Sequence, residues 1–143
     1  MNLDTYTPKT QAFLVDVHYS NGKLAGQSRV VSCPFCGNEH THGTSLGHRT
    51  PHCLPHTVQR GRLKISDAHK NPGYELCEPS DDVDWGLERV YAQLWVTRAR
   101  YRRLSAEHDR MDPWTAREKH AKKKLREEID GIASVLGAAG VGL

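Results

Sequence analysis

The chain has 143 residues, of which 37% are hydrophobic and 7% aromatic, and its formal net charge is only +3. That length suits a single modest fold, and so lean an apolar content leaves a small core that needs a further source of stability. No run approaches the ~20 apolar residues of a membrane span, and the opening MNLDTYTPKT has neither the basic start nor the apolar stretch of a secretory signal, so a cytoplasmic protein is expected.

Residues 12 to 19, AFLVDVHY, are rich in apolar and β-branched types, and Asn21-Gly22 follows at once. That pattern predicts a strand closing into a tight hairpin, with the partner strand inside 23 to 32. The partner ends in Arg29-Val30-Val31-Ser32 and feeds directly into Cys33, which would put the next segment at the tip or edge of the hairpin.

That segment, CPFCGNEHTHGTSLGHRTPHCLPH, carries three of the four cysteines and five of the nine histidines within residues 33 to 56. Such density points to a bound metal. Cys33-Pro-Phe-Cys36-Gly37 is a C-x2-C turn, whose two thiolates grip one ion while neighbouring N–H groups point at the sulfurs. A thioredoxin-like dithiol would instead have to open a helix in a βαβ unit, and no such pattern follows Cys36.

Two arrangements complete the site. On an extended segment His40 and His42 project to one face, so either can join Cys33, Cys36 and Cys53. Alternatively Cys53-Leu-Pro-His56 forms a second two-residue turn, giving C-x2-C-x16-C-x2-H. Both are Cys3His sites, tetrahedral and closed to substrate, as structural zinc usually is. The preferred set is Cys33, Cys36, His42 and Cys53, with His40 and His56 as alternates and one Zn2+ per chain. Such an ion contributes on the order of 10 kcal/mol to a folded domain, which answers the thin core.

Gly43, Gly47, Pro51 and Pro55 imply short strands and loops up to residue 56. Residues 57 to 72 read as a polar connection with one short strand near Arg62 to Ile65, and Gly73 to Cys77 as a last strand. Cys77 is expected to be free and partly buried.

After Pro79 the pattern becomes helical. Ser80 is a candidate N-cap with Asp81 and Asp82 in the first turn. Val83, Leu87, Val90, Leu94, Tyr101, Leu104 and Met111 then alternate at four and three, an a/d heptad seam. Asp112 as N-cap and Pro113 at the first helical position restart a second helix, from Pro113 to about Leu136, with Trp114, Ala121, Leu125, Ile129, Ile132 and Leu136 on its apolar face and Gly137 and Gly140 ending it. Two long amphipathic helices with a short break predict an antiparallel hairpin, or else two helices that find their seams in a partner chain. The expected fold is therefore α+β: a zinc-stabilised, zinc-ribbon-like β module over 1–79 and a helical hairpin with a short Gly-rich tail over 80–143.

CPFCGNEHTHG, then GHRTPHC, then GYEL resembles small zinc-ribbon-like proteins of actinobacteria and their phages, in which CPxCG precedes HxHG and a later RxxHC. The resemblance covers about residues 30 to 77, and its matching positions are Cys33, Cys36, Gly37, His40, His42, Gly43, Arg49, His52 and Cys53. It implies a zinc module encoded by a phage or its host and no particular activity. His56, Cys77 and the helices lie outside the pattern.

Three functions suit these features. From Arg98 to Arg126 there are eleven Lys or Arg against four Asp or Glu. That excess favours a non-enzymatic nucleic-acid-binding accessory or regulatory protein, with Arg98, Arg102, Arg103, Lys119, Lys122, Lys123 and Arg126 on phosphates. The second is an adaptor or host-takeover factor, docking on another copy or a host protein through the seam from Val83 to Met111, with Trp85, Trp95 and Trp114 as anchors unless they fill the hairpin. The third is a metal-dependent nuclease using His40, His42 or His52. Glu39 is the only acid between Cys33 and His56, and no catalytic residue is assigned.

Overall fold

A computed structural model describes residues 2–50, Cys53 and residues 73–143. The architecture is α+β, a five-stranded sheet followed by two helices. The strands are β1 (Lys9–His18), β2 (Leu24–Ser32), β3 (Glu39–His42), β4 (Gly47–Arg49) and β5 (Tyr74–Cys77), in the spatial order β3-β2-β1-β5-β4. Among the described residues β1 and β5 pair in parallel and the other three ladders are antiparallel.

Asn21-Gly22 does make the hairpin turn, which is closed by the Tyr19 N–H donating to Lys23 O at 2.8 Å. The C-x2-C turn is not at that tip. It follows the opposite end of β2 and leads into the edge strand β3, because β2 runs the full length of the hairpin before Cys33. Pro51, His52, Pro55, His56 and the expected strand near 62 to 65 lie outside the described residues.

Register decides which face is buried. Ala12 pairs with Val31 and Val31 with His40, while Arg29 pairs with His42 and Thr10 with Leu76. Cross-strand partners share a face, so Thr10, Ala12, Val31, Leu76, Tyr74, His40 and His42 all lie on one side. That side holds the core, with Ala12, Val31, Tyr74 and Leu76 essentially inaccessible. Phe13, Val15, Val17 and Val30 alternate onto the other face, where Phe13 and Val17 are exposed.

Helix α1 (Trp85–Arg110) begins later than the acidic pair suggested: its N-cap is Asp84, whose carboxylate accepts from the Leu87 N–H. Ser80 is engaged locally, with its hydroxyl oxygen accepting from the Asp82 N–H. Helix α2 (Ala116–Ala138) is likewise capped by Thr115, not Asp112, in a reciprocal box with Glu118. A side-chain oxygen three residues before a glutamate satisfies two orphan N–H groups at once, which Asp112-Pro113 cannot do. The helix ends at Gly140, φ +70°, with the Val141 N–H reaching Leu136 O at 2.9 Å and both side chains buried, a Schellman closure.

The helices are antiparallel. Arg100 meets Glu128, and Lys122 Nζ donates to Met111 O near the connection. The heptad seam is not the buried stripe of α1 throughout. Ala92, Trp95 and Arg98 are buried, whereas Leu87 and Val90 are 44% and 50% exposed. The first half of α1 turns toward the sheet, so its 92/95 face is covered; in the second half Leu104 is buried, as the seam requires. One helix serving two partners cannot keep a single periodic stripe. Trp95 stacks edge-on against Phe35 with ring centroids 5.9 Å apart, and the core cluster runs from Leu3 through the sheet to Leu136 and Val141.

Candidate metal centre

The turn after β2 is built to present sulfur. The Cys33 N–H donates to Asn38 O and the Gly37 N–H to Cys33 O, both at 2.9 Å. Gly37 sits at φ +77°, a left-handed conformation that glycine takes without strain. The Asn38 N–H then points at Cys36 Sγ, 3.4 Å away, and the backbone N–H groups of Phe35 and Cys36 address Cys33. The turn is also held from outside: Gln93 on α1 donates to Pro34 O at 2.7 Å and to Phe35 O at 3.0 Å.

Four donor atoms meet here. Cys33 Sγ, Cys36 Sγ, Cys53 Sγ and one ring nitrogen of His40 all lie within 4.8 Å of one another. Cys33 and Cys53 sulfurs are 3.6 Å apart, and Cys36 Sγ is 3.4 Å from His40 Nε2. A disulfide would need about 2.05 Å, and all four cysteines are free. Around a tetrahedral ion with metal–sulfur and metal–nitrogen bonds of ~2.3 and ~2.0 Å, sulfur–sulfur edges are about 3.8 Å and sulfur–nitrogen edges about 3.5 Å. Those two separations match such edges and all the others stay within 4.8 Å, so the four groups could hold a single metal ion.

Three of the expected ligands, Cys33, Cys36 and Cys53, are therefore brought together, and the histidine beside them is His40. His42, the preferred fourth ligand in the sequence reading, has its Nε2 2.6 Å from the Tyr74 hydroxyl. The reason is position along β3: His40 stands opposite Val31, two residues from Cys33, whereas His42 stands opposite Arg29, one pleat further away. His56 lies outside the described residues. Cys77 is free and half-buried at the end of β5, apart from the one cluster of potential metal ligands among the described residues.

The electrostatics follow burial and hydrogen bonds. Cys33 is held below the usual thiol range, chiefly by its hydrogen bond with Cys53, with burial opposing. Cys36 is pushed up by burial, against the Asn38 N–H. Tyr74 is raised well above the ordinary phenol range by burial and then by the nearby sulfurs, so it stays protonated and able to donate. Tyr74 carried no metal-site signal in the sequence beyond its place in GYEL, and Gln93 carried none.

The basic residues separate into two groups. Arg98 is buried, with Nη2 2.6 Å from Asp4, so it pins the N-terminus to α1 and does not face phosphates. Arg103 lies 3.6 Å from Glu107, Arg126 3.1 Å from Asp130, and Lys122 is half-buried on Met111 O. Arg102, Lys119 and Lys123 are exposed, as are Arg117 and Lys124, and none of these five has an ion pair among the described residues. Trp114, which precedes α2, is 81% exposed. No helix among the described residues is long and apolar enough to cross a membrane.

Comparison of the chain with protein-family models, with curated proteins and with solved structures finds no match.

Proposed function

We propose that the chain is a non-enzymatic zinc protein whose metal centre fixes the sheet to the C-x2-C turn and whose α2 surface binds nucleic acid as an accessory or regulatory protein. The observation that carries the metal part is the convergence of three sulfurs and His40 within 4.8 Å. Three thiolates and an imidazole are soft to borderline donors that suit Zn2+, and four protein ligands leave no coordination position for a reacting water. The role is therefore structural. Metal analysis of protein purified without chelator tests it: about one zinc per chain is expected, and absence of metal or an equivalent of iron overturns it.

The nucleic-acid part rests on α2. Arg117 and Lys119 lie exposed in the first turn of α2, where the helix dipole disfavours cations, Lys123 and Lys124 are exposed further along the same helix, and Trp114 just before it is exposed as well. Cations without ion pairs suit a phosphate backbone, and an exposed aromatic on the same segment suits a stacked base. Titration with single- and double-stranded oligonucleotides of mixed sequence should show affinity falling log-linearly with salt. No binding at low salt would remove this reading in favour of docking on a protein or a second copy, for which exposed Leu87 and Val90 offer an apolar contact. A phage-encoded origin and a reducing cytoplasmic setting belong to the same proposal, on the resemblance over residues 30 to 77 and on the four free thiols.

A further inference from the structure

The two histidines of β3 have different tasks. His40 Nε2 faces Cys36 Sγ at 3.4 Å, while its other ring nitrogen, Nδ1, lies 3.3 Å from the Tyr74 hydroxyl. That same hydroxyl lies 2.6 Å from His42 Nε2. Tyr74 is wholly buried and His42 is 7% exposed, so water does not substitute readily for either contact.

A count of protons fixes the direction of the chain. An imidazole that gives its Nε2 lone pair to a metal must carry its proton on Nδ1, and His40 then donates to the Tyr74 oxygen. The phenol has a single proton, which must go to the remaining neighbour, His42 Nε2. His42 is thereby an acceptor at the atom that would otherwise seek the ion. The sheet supplies the geometry: β3 places the two rings on one face, and β5 brings Tyr74 up to that face from the far side of β1.

We infer that His42 and Tyr74 form a hydrogen-bonded relay that positions His40 as a metal ligand, with His42 itself outside the coordination sphere. The inference rests on the metal reading above and adds the division of labour between His40 and His42. A relay of this kind sets both the tautomer and the ring orientation of the ligand, and groups that do so commonly contribute 10- to 100-fold to metal affinity.

The test is Zn2+ affinity by competition with a chromophoric chelator, together with Co2+ absorption, on the full chain and five variants whose folding with excess metal is checked by circular dichroism. His40→Ala should lose stoichiometric binding. Tyr74→Phe and His42→Ala should each keep one ion per chain and bind it about 10- to 100-fold more weakly. The double variant Tyr74→Phe/His42→Ala should be no weaker than the worse single, because the two groups act in series. His42→Gln, whose side-chain oxygen can accept the Tyr74 proton, should recover most of the loss; a merely structural role for His42 would show neither the rescue nor the non-additivity. Wild-type affinity in both single variants, multiplying losses in the double variant, or loss of stoichiometric metal in His42→Ala with retention in His40→Ala would overturn the relay while leaving the metal centre in place. A wild-type chain that binds no zinc would overturn both.

Discussion

Arg29 and Glu78 are 49 residues apart in sequence, yet the guanidinium grips the carboxylate through two bonds of 2.6 and 3.0 Å. Arg29 is buried beneath the sheet and also donates to Ala12 O and Thr44 O, so it ties β1, β2, the segment after β3 and the exit of β5 into one knot. Glu78 is the one acid in that set.

An acid-sensitive contribution to stability follows. The hydrogen bonds from Arg29 hold the Glu78 carboxyl below its ordinary range, and the N–H groups of Thr115 and Trp114 do the same for Glu118. A carboxyl whose folded pKa is depressed stabilises the fold above its unfolded value of ~4.3 and loses that contribution as pH falls through the folded value. Glu78→Gln should lower the melting temperature at neutral pH and flatten the decline below about pH 4. An unchanged acid limb in thermal melts would refute the coupling.

Removal of the metal should unfold the sheet. Structural zinc sites contribute on the order of 10 kcal/mol, more than most domains hold in reserve. Chelation of the purified chain, or Cys33→Ser, is expected to abolish cooperative unfolding and quench the environment of Trp95, which packs on Phe35 inside the C-x2-C turn. Near-ultraviolet circular dichroism and tryptophan emission before and after chelation give the answer.

Gly73→Ala is expected to cost about 2–3 kcal/mol. Gly73 sits at φ +71°, and a Cβ there would come within 2.6 Å of the Arg49 carbonyl oxygen, a backbone atom of the paired strand β4. The loss should appear as a lower denaturation midpoint with the metal stoichiometry unchanged. A neutral substitution would mean that β4 can move aside.

Thr115→Ala should cost about 1 kcal/mol, because it deletes the oxygen that accepts from the Glu118 N–H at 3.1 Å. For a chain of this size that is a fall of about 3–5 °C in Tm. Asp112→Ala, at the position first read as the cap, should have a smaller effect, and the reverse order would return the cap to Asp112.

Lys119→Ala and Lys123→Ala should each reduce the salt slope of nucleic-acid binding by about one. Arg98→Ala should leave that slope alone and destabilise the fold by about 1–3 kcal/mol, since it removes a buried guanidinium and its half-exposed charged hydrogen bond to Asp4. Equal effects of all three on binding would contradict the division between surface and core cations.

The amino-acid order by itself determined the local features. Asn21-Gly22 sets the hairpin, C-x2-C with Gly37 sets the sulfur-presenting turn, and the spacing of apolar residues after Pro79 sets two helices, because each depends on residues within one or two turns of each other. Choices among near equals were made by long-range contacts. His40 and His42 share a face and a chemistry, and the register of β3 on β2 together with Tyr74 from β5 separates them. Arg98 and Arg102 look alike on a helical wheel, yet Arg98 is buried with its guanidinium on Asp4 while Arg102 is exposed. The caps of both helices moved to Asp84 and Thr115, since several polar residues nearby can accept an N–H and tertiary contacts select which turn begins the helix. Periodicity reports that a face is apolar; it does not report which neighbour covers it.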